Sequence, residues 1–76
     1  MKTVQISLNS IDKVKSFVNT ITKYDNDFDL VSGRYVIDAK SIMGIFSLDL
    51  SKPIILEAHT DDASEFFAKI KQYIVD

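Results

Sequence analysis

Reactive side chains are few in this 76-residue chain, and their spacing limits the chemistry it can do. There is no cysteine, which removes a thiolate nucleophile, a sulfur metal site and a disulfide staple together. The single histidine, His59, closes an alternating stretch and is followed by Asp61 and Asp62. An imidazole nitrogen is nucleophilic near neutral pH, but these carboxylates would repel an incoming phosphate. One histidine with two sequence-adjacent aspartates also lacks metal-ligand spacing. No metal and no cofactor are expected, and His59 reads as a partly exposed strand-end residue. The acid pairs Asp25/Asp27 and Asp61/Asp62 read as turn and cap residues rather than a catalytic dyad. Ser10 and Ser41 each stand just before an apolar-periodic segment, the place of a helix N-cap. A serine hydroxyl needs a base to attack, and none stands near Ser10 in sequence. Nothing here makes an enzyme.

The elements that position these residues follow from periodicity. Val4, Ile6 and Leu8 alternate with polar residues, which predicts a strand over residues 2–8 with one buried face. Ile11, Val14, Phe17, Val18 and Ile21 recur at intervals of three and four, one stripe of a helix capped by Asn9 or Ser10 and ending near Lys23. Phe28 and Leu30 begin a second strand, Ser32-Gly33 makes a tight turn, and residues 35–39 return. A short helix from Ser41 to about Phe46 follows. Pro53 then opens a strand in which Ile54, Leu56 and Ala58 alternate with Ile55, Glu57 and His59. Thr60 would cap a closing helix, with Asp61 and Asp62 in its first turn. Ala63, Phe66, Phe67, Ile70, Tyr73 and Ile74 supply its apolar face. The order is β-α-β-β-α-β-α, an α+β open-faced sandwich in a single domain over residues 1–76.

Composition narrows the partners. Hydrophobic residues make up 46% of the chain, which argues against disorder. The formal charge of −2, with both signs interspersed, leaves no footprint for nucleic acid or an anionic membrane. No apolar run approaches the roughly 18 residues that span a bilayer, and the N-terminus lacks a signal-peptide pattern. A cytoplasmic protein is expected. The short helix is the unusual part: Ile42, Met43, Ile45 and Phe46 are more large apolar residues than one buried face can take. Some should reach solvent as a partner surface, where the adaptable thioether of Met43 is useful, although a core-filling turn has the same pattern.

Lys40-Ser41-Ile42-Met43-Gly44, followed by Ile45, Phe46, Ser47 and Leu48, resembles the central segment of HPr, the phosphocarrier of the bacterial sugar phosphotransferase system. Lys23-Tyr24-Asp25-Asn26-Asp27 resembles that family's K-[FY]-D-A-D, and Gly33 falls in its hairpin turn. The resemblance implies a four-stranded antiparallel sheet of order 1-4-2-3 covered on one face by helices. It also implies a phosphoryl-accepting histidine before the first helix, in a segment like G-I-H-A-R-P. An ungapped count back from Ser41 puts Ser10 at that histidine, Ile11 at the alanine, Asp12 at the arginine and Lys13 at the proline. The carrier chemistry would then be absent, since a serine phosphate ester is too stable to act as a relay.

The resemblance further implies that Ser41 can be a regulatory phosphorylation site. The surface expected to meet protein partners is Ile42, Met43 and Phe46, with Lys40 at its edge and Lys13 and Phe17 on the exposed flank of the first helix. The reading is an HPr-like, non-catalytic protein-binding or regulatory module related to the phosphotransferase system. The alternatives are a divergent phosphocarrier and a regulatory variant phosphorylated on Ser41.

Overall fold

The alternation at the start of the chain becomes β1, Lys2–Ile6, whose Val4 and Ile6 point inward with Leu8 beyond them. In the computed structural model, which describes residues 2–75, the chain continues through α1 (Ile11–Ile21), β2 (Phe28–Ser32) and β3 (Tyr35–Asp38). There follow α2 (Ile42–Phe46), β4 (Ile54–Ala58), α3 (Ser64–Lys69) and one 3-10 turn, Lys71–Tyr73. All strand pairs are antiparallel and the sheet order is β1-β4-β2-β3, as the resemblance implied.

Register decides which side chains meet. Val4 stands opposite Leu56, Ile6 opposite Ile54 and Leu30 opposite Leu56, so these residues line one face. Val14, Phe17 and Ile21 of α1, Ile45 of α2 and Phe66 of α3 close over that face and join them in one buried cluster. Phe28 and Phe66 stack with centroids 4.4 Å apart, and Tyr24 meets Phe66 edge-on at 5.3 Å. Among the described residues no polar or charged side chain is buried.

The structure departs from the sequence reading in five places. Phe17 is fully buried, with Tyr73 edge-on at 5.7 Å, so it belongs to the core and not to an exposed flank of α1. Ile11 is mostly exposed at the start of α1, where its turn projects beyond the sheet-facing stripe. The hairpin loop is Gly33-Arg34, since Ser32 pairs with Tyr35; Gly33 alone takes a positive φ, 59°, the pattern of a II′ turn.

Thr60 does not cap α3. Its hydroxyl is engaged with the Asp62 backbone, while the Asp62 carboxylate accepts from the backbone N–H and hydroxyl of Ser64. The closing helix also stops at Lys69. Ile74 instead pairs with Ile6, Ser7 donates to the Tyr73 carbonyl, and Val75 donates to the Gln5 carbonyl. Strand pairing and the seat of Tyr73 over α1 outweigh helical periodicity there.

Candidate functional site

The two serine-headed helices lie side by side, α1 against α2. Ser10 adopts extended backbone angles, φ −147° and ψ 157°, and its Oγ accepts from the Lys13 N–H at 3.2 Å. That bond satisfies one of the helix's orphan donors, as N-capping requires. Lys13 is exposed and its ammonium donates to Asn9 Oδ1 at 3.0 Å, so the loop entering α1 is held by its own side chains. Ser41 repeats the device on α2, accepting from the Gly44 N–H at 3.2 Å. Gly44 has no room to spare: a Cβ there would stand 3.2 Å from Ser41 Oγ and 3.3 Å from Ile37 Cδ1. A glycine therefore lets α2 sit tightly on β3.

The five residues of α2 divide as the composition required. Ile45 is buried, Ile42 is partly buried against the core, Phe46 is 40% exposed and Met43 is 76% exposed. Met43 and Phe46 are thus the apolar groups that α2 offers to solvent. Lys40 is committed elsewhere. Its ammonium donates to the Tyr24 carbonyl at 2.6 Å and lies 5.6 Å from the centroid of the Phe28 ring. It ties the end of β3 to the loop after α1. Nothing in the spacing of Lys40 announced this bond.

His59 lies at the other end of the sheet. Lys2 pairs with Ala58, so β4 ends beside the start of β1, away from Ser10. Its acidic neighbour is not Asp61 or Asp62: Nε2 is 2.8 Å from Asp29 Oδ2 on β2. Glu57 completes a group with them. The signal in the sequence was Glu57-x-His59, two residues on one strand face, but Asp29 joins them only through the β2–β4 register.

An antiparallel 1-4-2-3 sheet under three helices, with a serine-capped short helix after the hairpin, defines a class, and the comparisons agree. The chain belongs to the PTS-HPr family: residues 13–76 match its model, described as the PTS HPr component phosphorylation site. Ser10 lies outside that match. Members of this family are phosphocarriers rather than enzymes, and they work with other proteins of the phosphotransferase system.

Among solved structures the chain is similar to HPr-C-His from Thermoanaerobacter tengcongensis, at 29% identity and TM-score 0.78, over 95% of this chain and 89% of that one. It is similar also to the phosphocarrier protein HPr from Bacillus anthracis str. Ames, at 27% identity and TM-score 0.71, over 97% and 94%. A comparison with curated proteins found no match. Among the described residues no helix is long and apolar enough to cross a membrane.

Proposed function

We propose that this chain is a cytoplasmic HPr-like module that binds a protein partner of the phosphotransferase system or its regulation and carries no phosphoryl group at position 10. The observation that carries this is the exposure of Met43 on α2, 76%, with Phe46 beside it, in a helix already anchored by Ile45. Interfaces draw most of their energy from a few apolar anchors, and a flexible thioether suits that role. Lys13 on α1 is a rim charge for this patch. Ile42 supports it from below, whereas Phe17 and the ammonium of Lys40 take no part.

Carrier chemistry fits the remaining residues poorly. Ser10 caps α1 with no base among its hydrogen-bond partners, and Asp12 puts a negative charge in the first turn. His59 faces two carboxylates, which disfavour approach of a phosphoryl donor. A regulatory reading of Ser41 draws on one specific observation: its hydroxyl is exposed, and a phosphate there would keep accepting from the α2 backbone.

Two experiments decide. Met43→Asp and Phe46→Asp should abolish capture of the general phosphotransferase enzyme or of an HPr-binding regulator while leaving the melt unchanged; capture at wild-type strength would sink the patch. Mass spectrometry after incubation with phosphoenolpyruvate and the general enzyme, or with ATP and the serine kinase of the HPr system, tests the alternatives. Added phosphate with phosphoenolpyruvate would restore a carrier. Added phosphate with ATP, lost in Ser41→Ala, would make the module a regulated one.

A further inference from the structure

The sheet face away from the helices holds side chains that partner binding through α2 leaves unused. Glu57 lies on β4 and His59 directly follows its last residue, two positions on, so both fall to that open face. Asp29 is the cross-strand partner of Glu57 and points the same way. One donor atom from each of Asp29, Glu57 and His59 lies within 4.8 Å of the other two, and this is the one such His, Asp and Glu group among the described residues.

Charge on this face is unbalanced. Asp38 stands opposite Asp29 on β3, so Glu57, Asp29 and Asp38 form a row of carboxylates across three strands. Like charges directly opposite in a sheet are destabilising. Asp27 borders the same hollow, together with Asp29, Asp38 and His59. Among the described residues the only ion pair is His59 with Asp29, so one imidazole faces four carboxyl groups with no lysine or arginine bridging them.

We propose that Asp29, Glu57 and His59 bind a divalent first-row transition ion of the Zn2+ type. Ligands at about 2.0–2.1 Å from such an ion stand roughly 3.4 Å from one another in a tetrahedron. His59 Nε2 and Asp29 Oδ2 are already at 2.8 Å, and the part-exposed side chains need only small rotations to open around a cation. The ion takes the place of the hydrogen bond between Nε2 and Oδ2: the neutral ring binds through Nε2 and keeps its single N–H on Nδ1, and the carboxylate oxygen turns to the metal. An imidazole with two carboxylates suits Zn2+, Fe2+, Ni2+ or Mn2+; Ca2+ asks for six or more oxygens, and Mg2+ avoids nitrogen. Three protein donors leave the remaining positions to water. Asp38 and Asp27 complete the negative field that draws the ion in.

The test is titration of the full chain, free of any histidine tag, with ZnCl2 by calorimetry, alongside His59→Gln, Asp29→Asn, Glu57→Gln and the control Asp61→Asn. Thermal melts without metal check that each variant folds. The expected result is saturable binding of one Zn2+ per chain. Affinity should drop about tenfold or more in each of the three ligand variants and stay unchanged in the control. Absence of saturable binding would overturn the site. So would binding that survives His59→Gln, or a loss confined to His59→Gln, which would mean a lone surface imidazole.

Discussion

On the helix side of the sheet, rows of side chains end against other side chains; on the open side they end in water. The first side holds Ile6, Leu30, Ile54 and Leu56, all but sealed, under Phe17, Ile45 and Phe66. The second holds an apolar row, in which Val31 has Val36 on one side and Ile55 on the other, next to the acidic row of Glu57, Asp29 and Asp38. Val36 is 62% exposed there and Ile55 39%. The same four strands make both faces with period-2 alternation, so the difference lies in what covers each face. The covered face sets the fold and tolerates little, whereas the open face is free to carry charge.

The largest expected effect divides the faces directly. Phe17→Ala should destabilise by about 3–5 kcal/mol through lost burial and a cavity, and Val36→Thr should change stability by no more than about 0.5 kcal/mol. Urea denaturation measures both, and equal effects would erase the distinction. The next test sharpens it at the helix starts, where Ser10→Ala and Ser41→Ala should each cost about 1 kcal/mol by removing a cap. A loss much above that at Ser10 would mean that the hydroxyl does more than cap α1.

The smallest effect is in the pH profile. Asp62 is held below its ordinary 3.8 by the backbone N–H and hydroxyl of Ser64, and Asp49 by the hydroxyl and N–H of Ser51. A carboxyl whose folded pKa is depressed stabilises the fold above its unfolded pKa and loses that contribution as pH falls through the folded value. Both contributions should therefore be complete at neutral pH and fade below 3.8. Thermal melts of Asp62→Asn and Asp49→Asn should show a shallower acid limb than the parent.

Much of the fold was legible because each strand and helix carries its own period. Val4 with Ile6, Ile54 with Leu56, and the Val14-Phe17-Ile21 stripe all point where spacing sends them. Misreadings arose where tertiary contacts outweigh local pattern. Phe17 sits on the helical stripe, and only its burial under Tyr73 shows that the stripe leaves no apolar flank for a partner. Thr60 has the chemistry of a cap, but Asp62 is placed to serve Ser64. The helical spacing through Tyr73 and Ile74 is overridden by pairing with β1. The exposure of Met43 was readable from crowding in α2, whereas the meeting of Asp29 with His59 was not, because register between distant strands is a property of the assembled sheet.

That pairing with β1 bears on how the molecule comes into being. β1 is synthesised first, yet its partners are β4 on one edge and the segment around Ile74 on the other. Chains emerge at roughly 5–20 residues per second, so the first strand waits several seconds beside the ribosome with both edges open. The β2–β3 hairpin can close early, and the sheet as a whole can be sealed only after residues 73–75 have left the exit tunnel. A nascent chain halted before Tyr73 should remain open to proteases, with β1 the segment that a holding chaperone meets.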